Sequence, residues 1–279
     1  LPAMQKNGPV TAWIVDETSF VKKGTHSVGV ARQYCGRLGK KENCQVAVTL
    51  SLANAAGSLP LAHQLYLPEE WAEDADRRKT AGVPEQIEFL TKPQIALEQI
   101  RLALKAGVPR GPVLADAGYG NGTDFRDTVT EEFKLPYVVG IESSTTVWPP
   151  GQEPLPPAPR KGGRGRPPTL LKRDATHKPV SVKGLALSLS PSAFKKVTWR
   201  EGSAGKMKSR FAAVRVRPAH RDENRSEPRP EEWLLIEWPS DEAKPTKYWL
   251  STLPATTSLK KLVNKAKLRW RIERDYQEL

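Results

Sequence analysis

The sequence predicts a mixed α/β core interrupted by a β-rich insertion, and three observations predict it. Two short apolar runs, Trp13-Ile14-Val15 and Pro112-Val113-Leu114-Ala115, each end in an aspartate, as a strand leaving a core does. A broad apolar helical face recurs over residues 93–106. Composition then changes at Thr145: residues 148–168 are rich in proline and glycine, short β-like runs follow, and a final helical pattern closes the chain. The expected organisation is a first core part over 1–144, a basic β-rich insertion over 145–252, and a returning core helix over 253–279.

Taken in order, residues 11–16 read as a strand that ends at Asp16. Residues 26–34 and 44–53 read as two strands, antiparallel across a Gly-Lys-Lys turn. Residues 61–67 add another. The charged stretch 69–92 reads as loop, with a short helix near residues 85–89. A helix is predicted from Pro93, suited to a first turn, to Ala106, with Gly107 ending it. The strand 112–116 follows, then a tight Gly-Tyr-Gly-Asn-Gly turn, a helix to about Lys134 and the strand 136–141. Within the insertion, strands are predicted over 179–189, 195–200, 208–217, 233–238 and 247–252. The last helix is predicted as one element over 258–278.

The chain has 279 residues, enough for one large domain with an insertion, and its 38% hydrophobic content supports a core. The net charge is +13, but it is not spread evenly. Residues 160–217 hold sixteen Lys or Arg against Asp174 and Glu201, a local charge of +14 that leaves about −1 for the rest. Such a concentrated positive segment fits a polyanion partner, nucleic acid above all. Its centre, Arg160-Lys161-Gly162-Gly163-Arg164-Gly165-Arg166-Pro167-Pro168, is similar to an AT-hook, an arginine strip for a narrow minor groove; a flexible basic linker touching phosphates is the alternative. Cys35 and Cys44 are the two cysteines, read as buried free thiols of a reducing cytosol. The four histidines are scattered and take no metal role. No membrane span or signal peptide is visible. The chain opens at Leu1 and stops at Leu279 inside a helical pattern, which reads as a piece of a longer protein.

Three acids stand out chemically. Asp16 and Asp116 sit at predicted strand ends. Counting 100° per residue from a cap at Ser258 puts Leu259, Leu262, Val263, Ala266 and Trp270 on one stripe, and Glu273 falls inside it. A carboxylate facing a core is costly unless a cation meets it. Carboxylates from distant segments, gathered by a fold, suit Mg²⁺ or Mn²⁺, and two such ions can clamp an in-line attack on phosphorus. Each acid also has an ordinary explanation: a strand-end Asp forms turns, and Arg269 one helical turn before Glu273 makes a surface ion pair. The Gly-rich turn after Asp116 lacks the spacing and ribose-binding acid of a dinucleotide fingerprint; it serves better to expose Asp116.

With those residues in view, the chain resembles bacterial insertion-sequence DDE transposases of the branch with a β-strand insertion between the second Asp and the Glu. WIVDETSFVKKG (13–24) resembles the first-aspartate block, SVGVARQYCGRLGKKENCQVAV (27–48) the segment after it, VLADAGYGN (113–121) the second-aspartate block, and LRWRIERDYQEL (268–279) the glutamate helix. The resemblance implies a ribonuclease H-like core and makes Asp16, Asp116 and Glu273 the catalytic, metal-binding triad for Mg²⁺ or Mn²⁺, as two ions. In the family's helix motif Arg269 and Glu273 match, Ala266 stands where the family has Tyr, and the lysine position falls one past Leu279. It further implies DNA cleavage and strand transfer at transposon ends, with transposon and target DNA as partners, a homodimer on DNA, and a cytoplasmic, nucleoid-associated location. Lys22, Lys23, Arg160, Lys161, Arg164, Arg166, Lys208, Arg210, Arg215 and Arg269 are the expected DNA contacts. Glu17 is an extra acid without an assigned role. The rival expectations are a non-catalytic DNA-binding remnant and a ribonuclease H-like nuclease or resolvase that does not transpose.

Overall fold

The computed structural model describes residues 2–157, 168–202 and 205–278. They form two compact units: one runs to Leu135 and resumes at Leu268, and the other is Pro136–Lys267. In the first, α1 (Pro2–Lys6) precedes β1 (Ala12–Val21), β2 (Ala31–Cys35), β3 (Lys40–Ala53) and β4 (Ser58–Leu65). Helices α2 (Glu69–Ala72), α3 (Ala75–Thr80) and α4 (Lys92–Lys105) lead to β5 (Val113–Ala115), α5 (Ala117–Gly120) and α6 (Thr123–Asp127), which continues into one π-helical stretch, Thr128–Glu132. β3 pairs antiparallel with β1, β2 and β4, and β5 joins the far edge of β1 in parallel. Four antiparallel strands and a fifth parallel to β1, flanked by helices, make a mixed α/β sheet.

β1 is the spine of this unit. Ala12, Trp13, Ile14 and Val15 are completely buried, so both faces of the strand are covered. Trp13 donates from Nε1 to the Pro109 carbonyl at 2.8 Å, which satisfies its polar edge inside the core. The strand is ten residues long rather than six, so Asp16 lies in its middle and not at its end. Its tail, Thr18–Val21, is held by continuous pairing with β3, an extension that a short apolar run cannot announce. α4 begins at Thr91, whose side chain and that of Gln94 form a reciprocal cap. It packs on β3, where Gln99 donates to the Val48 carbonyl at 2.9 Å. The stretch read as loop holds α2 and α3, while residues 85–89 form no helix. Trp71 explains the difference. It is fully buried, donates to the Val30 carbonyl at 2.7 Å and carries the Arg77 guanidinium 3.7 Å above its ring. One aromatic anchor organises a segment whose composition is otherwise that of solvent-facing chain.

The second unit contains β6 (Tyr137–Ile141), β7 (Thr146–Trp148), β8 (Val180–Ser181), α7 (Val182–Ser188), β9 (Lys195–Gly202), β10 (Gly205–Pro218), β11 (Glu232–Glu237), β12 (Lys247–Ser251) and α8 (Leu259–Lys267). Its strands run in the order β6-β12-β11-β10-β7-β8, with β9 on β10. β6 and α8, assigned to the core by sequence, thus pack with the insertion strands. Residues 182–188 form a helix, not a strand: Ser181 accepts from Gly184 N, and Val182, Leu185 and Ala186 bury one helical face.

The C-terminal pattern is likewise two helices. α8 ends at Lys267, Leu268 and Arg269 turn, and α9 (Trp270–Glu278) belongs to the first unit. Lys267, the last residue of α8, is held by its side chain. Its ammonium lies 2.6 Å from Glu237 Oε2 and within 4.5, 5.3 and 5.5 Å of the Trp199, Trp249 and Phe211 rings. Burial above all, with the charge of Lys247, pushes its pKa down; the Glu237 carboxylate works against that. Because Glu237 is only 5% exposed, Lys267→Ala strands a buried carboxylate. That variant is expected to lose about 3–5 kcal/mol in urea unfolding. Adding Glu237→Gln is expected to restore part of the loss, and a double variant no more stable than Lys267→Ala would show that the ion pair is not the source.

Candidate active site

The register of the first unit brings the two aspartates together. Trp13 pairs with Val113 and Ile14 with Leu114 across parallel β1 and β5. Continuing that register sets Asp16 beside Asp116, the first residue past β5, on chains spaced about 5 Å apart. On the other side Asp16 pairs with Thr49 of β3. The Asp116 carboxylate is also the N-cap of α5, where Oδ1 accepts from Gly118 N at 2.9 Å. The Gly-rich stretch is therefore a short helix rather than a bare turn, and it fixes one carboxylate oxygen of Asp116.

Successive residues of a strand face opposite ways, and β1 uses this to separate two acids. Asp16 meets Arg269, with Oδ2 2.5 Å from Nη1. Glu17 meets Lys92 of α4 at 2.7 Å. Glu17, Lys92, Tyr66, Thr91, Asp116 and Tyr119 are among the residues lining a pocket of about 270 Å³. The Tyr119 hydroxyl is buried and has no hydrogen-bond partner among the described residues. Burial, then Glu17, Asp16 and Asp116, hold that phenol well above its usual range, so it remains protonated.

α9 supplies the remaining groups. Tyr276 Oη lies 2.5 Å from Thr49 Oγ1, and Thr49 in turn donates to the Asp16 carbonyl at 3.2 Å. Asp275 accepts from Ser58 at 2.5 Å, and Arg271 donates to the Ala55 carbonyl at 2.6 Å. Together these contacts seat the helix on β3 and the chain leading to β4. Glu273 departs from the sequence expectation. Its side chain is 61% exposed, and its Oε1 is 3.9 Å from Arg269 Nη2. The turn at Leu268 and Arg269 resets the helical phase, so counting from Ser258 places Glu273 wrongly; Ile272 and Asp275 take the buried positions.

Arg269 pairs with Asp16 and Glu273 and feels the charge of Asp116. Its own burial opposes its charge, yet Asp16, Asp116 and Glu273, in that order, raise its pKa. Asp16 still carries a deficit. Burial pushes its pKa up to about 6 although Arg269 lowers it, and the negative charges of Asp116 and Glu17 add to the rise. An all-carboxylate donor set that one guanidinium does not neutralise suits a hard divalent cation. Among the described residues no three of His, Cys, Asp and Glu stand close enough to hold a metal ion together, so what the site offers a hard cation is the two carboxylates of Asp16 and Asp116.

A model of the family described as DDE superfamily endonuclease matches residues 1–206. The chain belongs to that family. A probable transposase for insertion sequence element IS701 from Microchaete diplosiphon is 35% identical over 131 residues, 47% of this chain. The match spans 32% of that relative, about a third of its length. Among solved structures, the NurA nuclease of Sulfolobus solfataricus aligns over 96% of this chain and 78% of its own, with a TM-score of 0.39 and 8% identity.

The expected DNA contacts of this DDE family member fall into three groups. Lys22, half-buried, and Lys23, exposed, directly follow β1, and Lys208 is exposed on β10. Arg210 donates to the Trp238 and Pro239 carbonyls at 3.2 and 3.4 Å; Arg215 donates to the Glu231 carbonyl and lies 5.1 Å over the Trp233 ring. Arg160, Lys161, Arg164 and Arg166, with the AT-hook-like strip, lie outside the described residues. Cys35 and Cys44 are buried free thiols, and burial followed by the neighbouring Cys35 pushes Cys44 up to about 11. Sequence reading missed Lys92, Tyr119 and Tyr276. Lys92 fell at the end of the charged stretch read as loop, and Tyr276 lay within the motif block quoted for the last helix without a role of its own.

Asp16 makes stability depend on pH in a definite direction. Its folded pKa lies above the unfolded value, so the folded state keeps a proton that the unfolded state has lost. Stability is therefore greatest below the ordinary carboxylate pKa and falls as pH rises towards about 6. With divalent ions chelated, urea unfolding of the wild type and Asp16→Asn is expected to diverge by about 2–3 kcal/mol between about pH 4 and pH 7, the wild type losing. Parallel pH profiles would remove the buried-charge account of Asp16.

Proposed function

We propose that this chain carries the catalytic core of an insertion-sequence transposase, performing divalent-metal-dependent DNA strand cleavage and strand transfer at transposon ends. The observation that supports it most is the β1–β5 register, which continued by two residues runs Asp16 alongside Asp116, together with the Arg269 pairings to Asp16 and Glu273. The kinship with a probable transposase of an insertion sequence points the same way.

In this reading Asp16, Asp116 and Glu273 are the metal ligands. Two Mg²⁺ or Mn²⁺ ions held there would supply activation of the attacking oxygen and stabilisation of the leaving one. The protein's own part is positional. Asp116 offers the oxygen left free by its cap to Gly118 N, and Asp16 is fixed through Thr49 and Tyr276. Glu273, on an exposed face of α9, closes the set from the solvent side. Lys22 and Lys23 beyond β1 would meet backbone phosphate near the reacting bond, and Lys208 with the basic residues of 160–172 would add contacts to DNA backbone. Water attacks first, and the liberated 3′-hydroxyl then attacks target DNA. A homodimer on DNA and a nucleoid-associated cytoplasmic location belong to the same proposal. No helix among the described residues is long and apolar enough to cross a membrane.

Asp116→Ala is expected to abolish nicking and strand transfer, a loss of several orders of magnitude, while retaining DNA in a gel-shift assay. The assay uses the protein with Mg²⁺ or Mn²⁺ and a chelator control. Full cleavage by the variant, or nicking that survives chelation, would overturn the assignment.

A further inference from the structure

Arg269 has a role of its own to account for. Its guanidinium holds the buried oxygen of Asp16 at 2.5 Å and stands 3.9 Å from Glu273, with the charge of Asp116 acting on both Arg269 and Asp16. It is the cation these three acids share, and it lies on the turn between α8 and α9 rather than inside a helix. A guanidinium and a divalent ion cannot both bind the same carboxylate oxygen at close range, because like charges in a partly buried site repel strongly. A guanidinium released from Asp16 would present a planar fork suited to phosphate.

We propose that Arg269 and the divalent ion compete for Asp16, and that a DNA phosphate resolves the competition by drawing Arg269 away, so that metal loading is coupled to DNA binding. Without DNA the ion pair holds metal affinity down. With DNA the guanidinium gains a new partner, and Asp16 is freed for the ion. Coupling of this kind is reciprocal, so metal must tighten DNA binding by the same factor. The inference rests on the metal-centre reading above and extends it to the order in which the site is filled.

Mn²⁺ binding, followed by the electron paramagnetic resonance signal of the free ion, tests it without reference to activity. Arg269→Gln is expected to bind Mn²⁺ about tenfold tighter than the wild type in the absence of DNA. Arg269→Lys, which keeps the charge, is expected to stay close to the wild type. A short duplex of arbitrary sequence should tighten Mn²⁺ binding by the wild type and leave Arg269→Gln nearly unchanged. Equal or weaker Mn²⁺ affinity in a folded Arg269→Gln protein would overturn the competition. Should that variant not fold, the wild type decides alone: a duplex added with Mg²⁺ that leaves the Arg269 side-chain nitrogen resonances unshifted overturns it, and a shift supports it. Asp16→Asn that binds Mn²⁺ as tightly as the wild type would instead remove the metal-centre reading itself.

Discussion

The site depends on one ion pair, between Asp16 in the middle of a buried strand and Arg269 on the turn that begins the last helix. A carboxylate at 8% exposure would ordinarily be protonated or paired, and here the pairing is incomplete, which leaves its pKa near 6. The core around Asp16 is apolar for structural reasons: β1 is covered on both faces and must be hydrophobic to be so. An acid placed there costs stability, and the fold tolerates the cost at a position where two neighbouring strands and a helix converge. Strain of this kind is common where chemistry is done.

The geometry around that pair follows from simple periodicities. The two-residue alternation of β1 sends Asp16 towards Arg269 and Glu17 towards Lys92. Adjacent acids thereby gain separate cations instead of repelling each other on one face. The constant offset of the parallel β1–β5 pairing then aligns two aspartates that are a hundred positions apart in the chain. Thr49, the cross-strand neighbour of Asp16, carries the hydrogen bond that seats Tyr276. One strand register thus sets the aspartate pair, and one strand neighbour docks the helix that brings Arg269.

The second unit qualifies the simple picture of a basic surface. Arg210, Arg215 and Arg173 are all engaged, with main-chain carbonyls, aromatic rings or the buried Asp222. Lys267 sits among three aromatic rings and a carboxylate. Part of the positive charge counted along the insertion is therefore internal cement, and Lys208 is one of the groups left at the surface. A net charge reports a sum over residues and says nothing about which of them keep their solvent.

Much was legible without a structure because it is local. The apolar runs at Trp13 and Val113 are strands, α4 lies within one residue of the helix read from its proline and apolar face, and β9 to β12 lie close to the runs that predicted them. The motif blocks around Asp16 and Asp116 pointed to the DDE family, to which the chain belongs, because short runs of residue types at fixed spacing are readable without a fold. What failed depended on distant contacts. The length of β1 is set by its pairing with β3, α2 and α3 by the burial of Trp71, and the break at Leu268 and Arg269 by the return of the chain from one unit to the other. Residue order by itself determined which acids and bases this chain has to work with and which short segments are strands or helices. Tertiary structure decided that Asp16 is buried mid-strand, that Glu273 faces solvent, and that Arg269 is the cation among them, because burial and counter-ion choice are properties of neighbours in space.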